Sequence, residues 1–190
     1  MDTKLVWKWF LEDVREENWL NRMVSKGWAM KNRFGTFYTF ESCEKGAYIY
    51  RIELLKEQPE SEDSVAYIRF LEQTGVDYVA HSGKWVYFRK KAADGPFQLY
   101  TDADSKIRHF KRIFWYYTQT GILELSVGMM VLGNTYRCWV EKDADGFPWF
   151  WLLLICGIVV MAVGVLFISL IILISRKIKH LEKEKQLHEA

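Results

Sequence analysis

The apolar residues of this chain follow two patterns, with a boundary near residue 112. Before the boundary, short apolar runs alternate with charged residues and glycines, which is typical of a small folded domain. After it, residues 113–136 and 149–175 form two long apolar segments joined by a short acidic loop. Each segment exceeds the ~20 residues that a helix needs to cross a bilayer core. The pattern therefore predicts a domain followed by a two-helix transmembrane hairpin.

The spacing of apolar residues in the first part predicts an α+β domain. Gly35 is expected to kink or bulge one strand, and residues 42–46 to form a hairpin turn after it. The element order favours a ferredoxin-like βαββαβ sandwich with its last strand doubled as a hairpin and both helices on one face of a single antiparallel sheet. The predicted strands are 5–10, 28–41, 48–54, 76–81 and 84–90, and the predicted helices are 12–26 and 61–74.

Charge and apolarity divide the chain into six predicted segments. The start of the chain lacks an uninterrupted apolar run, so no signal peptide is expected there. Helix formation is expected to begin at Thr101 or Asp102 and to continue into the first apolar segment. The segments are a cytoplasmic domain (1–91), a linker and juxtamembrane basic helix (92–112), transmembrane helix 1 (113–136), an external loop (137–148), transmembrane helix 2 (149–175) and a charged cytoplasmic tail (176–190).

Basic residues lie at the outer ends of the two apolar segments and predict the orientation of the hairpin. Basic residues close to membrane ends stay in the cytoplasm. Both termini are therefore predicted to be cytoplasmic in a multi-pass protein of the cell (inner) membrane. The same residues could also attract anionic lipid headgroups, although topology alone explains their placement. They are Lys106, Arg108, Lys111 and Arg112 before the first segment, and Arg176, Lys177 and Lys179 after the second.

Glu124 interrupts the first apolar segment near its middle, where an ionisable side chain is costly and is usually functional or paired. Three explanations remain open. Glu124 is protonated and bonded to Thr120 or a backbone carbonyl, it contacts a second copy or another membrane subunit, or it takes part in proton-coupled transport. Helical spacing places Glu124 on one face with Thr120, Gly121 and Gly128, and Gly157 and Gly164 form a small-residue packing face on the second segment.

One face of the predicted sheet is expected to remain open as a docking surface. Alternation along the third predicted strand exposes either Tyr48, Tyr50 and Ile52 or Ile49, Arg51 and Glu53. Aromatic and arginine side chains are frequent in protein-binding hot spots. The alternative is that the membrane surface or the juxtamembrane helix covers this face. The candidate docking residues are Tyr48, Tyr50, Arg51, Trp85, Tyr87 and Arg89.

Composition and motifs argue against several function classes. The 26 basic and 24 acidic residues give a net charge of +2, which is too small for a strong phosphate-binding surface. The aromatic run 33–40 is similar to an RNA-recognition strand but falls on the second strand instead of the third. No catalytic motif, metal-ligand spacing or cofactor motif occurs, so neither enzymatic activity nor a metal or cofactor is expected. Cys43, Cys138 and Cys156 are expected to be single thiols, with an intermolecular Cys138 disulfide as a further hypothesis.

Several short motifs resemble the bacterial family catalogued as domain of unknown function 2812. The resemblance implies a folded domain with C-terminal membrane helices and, as a partner, a PadR-like transcriptional regulator. It assigns no activity and no site residue. Family members commonly carry an aromatic residue after the glycine that ends the second helix, whereas Val76 follows Gly75 here. The motifs are Glu17-Asn-Trp-Leu20, Met23, Lys26-Gly-Trp28, Tyr38-Thr-Phe40, Tyr48-Ile-Tyr-Arg-Ile52, Leu99-Tyr-Thr-Asp102 and Ser105-Lys-Ile107.

The expected function is therefore binding rather than catalysis. The first hypothesis is a membrane-anchored sensory or regulatory adaptor whose cytoplasmic domain binds a protein partner. The second is an accessory subunit of a transporter-type membrane complex, assembled through the helix pair and Glu124, or a homo-oligomer formed through the same helices. The third, an enzyme on a membrane anchor, lacks an acid–base or metal constellation. The lipid bilayer is an expected partner in each case, and nucleic acid is not.

Overall fold

The computed structural model describes residues 2–100, 103–140 and 150–189, which belong to two compact units, Met1–Thr101 and Asp102–Ala190. The first unit is an α+β domain, as the sequence predicts. Its elements are β1 (Thr3–Trp7), α1 (Asp13–Ser25), β2 (Trp28–Phe34), β3 (Phe37–Ser42), β4 (Tyr48–Leu54), α2 (Glu62–Gln73), β5 (Val76–Ser82), β6 (Trp85–Lys91) and a 3₁₀ turn, Ala92–Asp94.

The strands form two three-stranded antiparallel sheets, so the prediction of one ferredoxin-like sheet is wrong. Sheet one has the order β1-β3-β2 and sheet two the order β4-β6-β5. Gly35, with a φ of +57°, lies in a tight two-residue turn and not in a strand. Phe34 lies opposite Phe37, so the predicted strand 28–41 is a hairpin of two strands. The predicted hairpin across 42–46 is also absent, because β3 pairs with β1 and β2 while β4 pairs with β6.

The two sheets belong to two equivalent βαββ halves. In each half the first strand pairs with the third, and the third pairs with the second across a two-residue turn. Gly27 and Gly75 precede the second strands and Gly35 and Gly83 occupy the turns, so each pair is separated by 48 positions. The register shifts also correspond, between Met30 and Asn32 in β2 and between Tyr78 and Ala80 in β5. The domain therefore consists of two structural repeats, each a βαββ half.

Two hydrophobic clusters cover the sheets unequally. The first lies among α1, one face of sheet one and one face of sheet two, and the second lies between α2 and the other face of sheet two. Sheet two is therefore covered on both faces, whereas sheet one is covered on one. The first cluster comprises Leu20, Met23, Val24, Met30, Tyr38, Phe40, Tyr50, Ile52 and Tyr87, and the second comprises Leu55, Val76, Val86, Phe88 and Phe97.

The first unit extends beyond Lys91, the end that the sequence pattern predicts for it. Phe97 is buried in the second cluster, and Leu99 packs against that cluster. The Tyr100 hydroxyl donates a hydrogen bond of 2.6 Å to Glu53 Oε1. Residues predicted to be a linker thus complete the domain, because aromatic side chains close to the last strand can fold back onto the sheet.

Side chains of α1 satisfy the outer edge of β4. Asn21 accepts from the Tyr50 amide at 2.8 Å and donates to the Tyr50 carbonyl at 3.2 Å. Glu17 accepts from the Ile52 amide at 3.2 Å and forms an ion pair of 3.0 Å with Arg51. These contacts replace the backbone ladder of a further strand, so the helix protects a strand edge that would otherwise be open.

The Asn21→Ala substitution is expected to destabilise β4 by about 1–3 kcal/mol, because it leaves the Tyr50 amide unpaired. The Tyr50 carbonyl keeps a second hydrogen bond, from Arg51 Nη1 at 3.0 Å. The measurement is hydrogen–deuterium exchange of residues 48–54 in the full-length protein. Asn18→Ala, at an exposed position of the same helix, is the control and should leave exchange in this strand unchanged. Equal protection in both variants would contradict the structural role of Asn21.

The second unit contains α3 (Ala103–Val140) and α4 (Phe150–Glu189), which pack against each other in antiparallel orientation. Among the described residues, α4 is long and apolar enough to cross a membrane, over Phe150–Gln186, whereas α3 is not. The predicted two-helix transmembrane hairpin is therefore supported for one helix. Thr118, Gln119, Thr120 and Glu124 reduce the apolar character of α3.

The helices of the second unit are longer than the predicted spans. Helix α3 continues through Val140, into the predicted external loop, and α4 continues through Glu189, so the predicted charged tail is helical. Three predictions lie outside the described residues: the caps Thr101 and Asp102, the remaining loop residues 141–148, and Trp149 at the start of the second predicted span.

Candidate functional site

The predicted docking surface is not open. Tyr50 and Tyr87 are fully buried in the first cluster, and Tyr48, Arg51, Trp85 and Arg89 are half-buried. The Arg89 guanidinium lies 4.5 Å from the centre of the Tyr48 ring and 3.2 Å from Asp77 Oδ2. The prediction of one uncovered face on this sheet is wrong because sheet two has a hydrophobic cluster on each side.

An exposed apolar surface lies instead on the outer face of sheet one. Strand alternation turns Val6, Tyr38 and Phe40 inward, so their neighbours in the sequence point outward. Trp7 lies opposite Phe37, which in turn lies opposite Phe34, so three aromatic residues form one row across the sheet. We call this surface the aromatic face. It comprises Leu5, Trp7, Phe34 and Phe37, whose exposed fractions are 67%, 66%, 84% and 45%.

The outer edge of β1 borders the aromatic face. The Lys8 amide donates to Thr36 and the Ser42 amide donates to Asp2, so even-numbered residues of β1 bond to β3. The backbone groups of Thr3, Leu5 and Trp7 consequently point away from β3. Among the described residues, no hydrogen bond ends on these groups. The aromatic face and this open edge together form one continuous surface.

Consecutive apolar residues in the strands of sheet one are a sequence signal for this face, and assignment of helices and strands by periodicity alone does not use it. Leu5, Val6 and Trp7 are consecutive apolar residues, as are Phe37 and Tyr38, so both faces of sheet one carry apolar side chains. A sheet with one solvated face normally alternates apolar and polar residues. Apolar residues on both faces of a sheet indicate that both are covered, yet here one is exposed.

A buried polar cluster joins the two halves. Glu16 Oε1 accepts hydrogen bonds from Tyr38 and Tyr87, both at 2.7 Å, and from Arg33 Nη1 at 2.8 Å. The Arg33 guanidinium lies between the two tyrosine rings, 5.0 and 5.1 Å from their centres. Tyr87 belongs to the second half and the other residues to the first, so the cluster fixes one half against the other.

Burial determines the proton affinities in this cluster. It raises the pKa of Glu16 above its ordinary 4.5, while Arg33 and the Tyr38 hydroxyl act in the opposite direction. Burial and the neighbouring Glu16 raise the pKa of Tyr38, so its hydroxyl remains a hydrogen-bond donor. Among the described residues, no group of three side chains is arranged to hold a metal ion. The cluster connects the two halves through the hydrogen bonds of Glu16 to Tyr38 and Tyr87.

The Glu16→Gln substitution is expected to change the pH dependence of stability. Because the folded-state pKa of Glu16 is raised, its contribution is fully present below 4.5 and is lost as pH rises through the folded-state value. The difference in unfolding free energy between wild type and Glu16→Gln should therefore shrink as pH rises above 4.5. Denaturant unfolding of the full chain in micelles measures it. A difference that grows with pH would mean that the Arg33 ion pair outweighs burial.

Glycines on both helices of the second unit allow close packing. A Cβ atom at Gly164 would lie 2.6 Å from Leu125 Cδ2, and one at Gly157 would lie 2.6 Å from Leu132 Cδ2. In the opposite direction, Gly128 faces Met161 and Gly121 faces Phe167. Gly121 and Gly128 on α3 are seven residues apart, as are Gly157 and Gly164 on α4, and each of these four glycines contacts a large side chain of the other helix.

Glu124 lies beside this glycine contact and is half-buried. The Thr120 hydroxyl donates to the Tyr116 carbonyl of its own helix at 2.9 Å. Among the described residues, no hydrogen bond joins Glu124 to Thr120 or to a backbone carbonyl. Gly164 faces Leu125, the next residue after Glu124, and a glycine provides no side-chain partner for a carboxyl group.

The basic residues predicted to set topology lie at one end of the helix pair. Lys111 forms an ion pair of 2.9 Å with Glu182, and Lys177 lies 4.1 Å from the centre of the Phe110 ring. These contacts link α3 to α4. Lys106, Arg108, Arg176 and Lys179 are exposed, and Arg112 is half-buried.

Comparison with known proteins gives one family match. A family model described as "Protein of unknown function (DUF2812)" matches residues 12–122, which is more than half of the chain. No curated protein matches the chain. No solved structure matches it either. The matched region contains α1 with its Glu17 and Asn21 side chains, both sheets except β1, and the first part of α3.

Proposed function

The chain belongs to the DUF2812 family, whose function is unknown, and we propose that it is a membrane-anchored adaptor that binds a protein partner through its first unit. The proposal involves no catalytic step and no cofactor. The aromatic face of sheet one carries it, because four large apolar side chains are exposed together on a rigid sheet.

The length and apolarity of α4 support the membrane anchor. We further propose that α3 accompanies α4 through the membrane and that both termini are cytoplasmic, as the positions of the basic residues favour. An alkaline phosphatase fusion at Asp143 is expected to be active in bacterial cells, because that residue would lie outside. An inactive fusion, with an active one at Lys179, would reverse the orientation.

The composition of the aromatic face favours a protein as its partner. Trp, Phe and Leu provide large contact areas, and aromatic residues are enriched at the centres of protein interfaces. Exposed apolar clusters rimmed by polar residues mark interaction sites on soluble domains. Asn32 and Thr39 lie opposite each other beside the aromatic face and provide polar groups next to it. A sensory or regulatory partner such as a PadR-like regulator remains part of this proposal.

Site-specific photocrosslinking in cells tests the adaptor. A benzophenone amino acid at position 34, in the aromatic face, is expected to give one protein adduct that Trp7→Glu abolishes. The same amino acid at position 70, which is exposed on α2, is the matched control and should not give that adduct. Adducts at position 34 with lipid alone, or with a second copy of this chain alone, would overturn the adaptor proposal.

Glu124 favours a second candidate, an accessory subunit of a membrane complex. The glycine contacts close the helix pair through Leu125, the residue after Glu124, and the Glu124 side chain is half-buried. In a bilayer such a group requires a polar partner, which another subunit could supply. A Leu123→Cys variant without the native cysteines should crosslink to that subunit. Loss of the crosslink with Glu124→Gln would support this candidate, and an unchanged crosslink would contradict the role of Glu124.

A further inference from the structure

We propose that the partner element that occupies the aromatic face is an amphipathic α-helix that carries a carboxylate and an amide one turn apart. This inference rests on the proposed adaptor function and specifies the chemistry of its partner. The helix would pack its apolar side on the aromatic face and bond the open edge of β1 with its two polar side chains.

The internal repeat defines which residues of the two sheets correspond. Trp7 lies opposite Phe37 in sheet one, and Leu54 lies opposite Trp85 in sheet two. This register equates β1 with β4, and Thr3, Lys4 and Leu5 with Tyr50, Arg51 and Ile52. The aromatic face of sheet one is therefore the counterpart of the face of sheet two that contains Tyr50, Ile52 and Tyr87.

In sheet two, the counterpart face is packed within the first cluster. Leu20, Met23 and Val24 of α1 belong to the same cluster as Tyr50, Ile52 and Tyr87. The helix thus supplies apolar side chains to this face. The equivalent face of sheet one also carries apolar side chains, but no described residue covers Leu5, Trp7 and Phe34.

The edge of sheet two is covered by the same helix. Asn21 bonds both backbone groups of Tyr50, and Glu17 accepts from the Ile52 amide. The equivalent backbone groups of β1 are those of Thr3 and Leu5, which point outward. An amide side chain that reaches Thr3 and a carboxylate one turn earlier that reaches Leu5 would reproduce these bonds.

Charge complementarity also agrees with a helix of this kind. Glu17 of α1 forms an ion pair with Arg51, and the residue equivalent to Arg51 is Lys4, which is exposed. The Lys4 ammonium lies 5.7 Å from the centre of the Trp28 ring, and it would turn from that ring towards the edge to meet a carboxylate on the incoming helix. An added β-strand would bond the edge but would leave the aromatic face open, and a bilayer would cover the face without bonding the edge.

A peptide with the sequence of residues 12–26 of this chain is the probe, because it contains α1 with Glu17 and Asn21. It is synthesised with a hydrocarbon staple on its solvent side and a fluorophore, and titrated against the full-length protein in lipid nanodiscs. Saturable binding is expected. Phe34→Glu should weaken it by about tenfold or more, while Phe70→Glu, the matched control on α2, should leave it unchanged.

Edge recognition is tested by two further variants. Leu5→Pro in the protein keeps an apolar residue but removes an outward amide, which an edge strand tolerates. Glu17→Gln in the peptide removes the carboxylate. Each is expected to weaken binding several-fold. Binding that Phe34→Glu weakens but Leu5→Pro and Glu17→Gln do not change would overturn the edge contacts, and therefore the proposal.

The helix proposal and the adaptor proposal fail in distinguishable ways. Absence of saturable peptide binding, or binding that Phe34→Glu does not affect, overturns the helix proposal alone. A protein adduct at position 34 whose crosslinked segment is not helical also overturns the helix proposal and leaves the adaptor intact. Absence of any protein adduct at position 34 overturns the adaptor itself.

Discussion

Arg33→Met is expected to destabilise the first unit by about 3–5 kcal/mol, because it leaves the buried Glu16 carboxylate without its counter-charge. The exposed fractions of the Arg33 and Glu16 side chains are 14% and 8%. Two tyrosine hydroxyls remain bonded to Glu16, but they carry no positive charge. The same substitution also removes the cation from between the Tyr38 and Tyr87 rings.

Arg51→Met is the matched control for this substitution. Its ion pair with Glu17 is more exposed, with side-chain fractions of 30% and 22%, so solvent screens it. Arg51→Met is expected to lower the free energy of unfolding by at most about 1 kcal/mol. Denaturant unfolding of the full chain in micelles, with hydrogen exchange of residues 37–42 to assign the transition to this unit, measures both variants.

Acidification provides an independent check on the mechanism. Without Arg33, the pKa of Glu16 should rise further, because the counter-charge that opposes the effect of burial is gone. The destabilisation by Arg33→Met should therefore become smaller as pH falls and Glu16 takes up a proton. Equal costs for Arg33→Met and Arg51→Met at neutral pH would contradict the view that the cluster fixes the two halves.

The element types follow from the sequence more closely than their pairing does. Both helices of the first unit and the final hairpin, β5–β6, lie where periodicity places them. Periodicity predicts residues 28–41 as one strand because apolar residues continue on both sides of Gly35. A glycine with positive φ is compatible with both a bulge and a tight turn. The pairing of Phe34 with Phe37 identifies the turn, and periodicity does not report which residues pair.

The internal repeat is present in the sequence as a spacing. Gly27 and Gly35 recur as Gly75 and Gly83 with the same separation, and Phe37 and Phe40 recur as Trp85 and Phe88. A recurring spacing of this kind is the sequence signature of a repeated structural unit, here the βαββ half. The surrounding residues of the two halves differ strongly, and this difference conceals the repeat.

The polar cluster could not be predicted from local patterning. Glu16 lies in the first turn of α1, where an acidic residue is sufficiently explained by the helix dipole. Its partners Arg33, Tyr38 and Tyr87 lie between 17 and 71 residues away in the sequence. Only the packing of the two halves brings these groups together, so a single sequence contains no short-range signal for them.

Gly164→Leu is expected to separate α3 from α4 in the second unit. At this position even a Cβ atom would lie 2.6 Å from Leu125 Cδ2 and 2.9 Å from Leu125 Cγ, so a leucine side chain has no space. Overpacking of this kind costs about 1–3 kcal/mol. Gly164→Ala should have a smaller effect, because the end of the Leu125 side chain can move away from a single methyl group.

Gly133→Leu is the matched control, because a Cβ atom at Gly133 of α3 would meet nothing within 4 Å. Zero-length carbodiimide crosslinking reports helix separation, since Lys111 Nζ lies 2.9 Å from Glu182 Oε1 and Lys185 Nζ lies 2.8 Å from Asp104 Oδ1. Mass spectrometry should find both crosslinks in wild type and in Gly133→Leu, and strongly reduced yields in Gly164→Leu. Undiminished yields in Gly164→Leu would mean that the helix pair does not depend on the contact between Gly164 and Leu125.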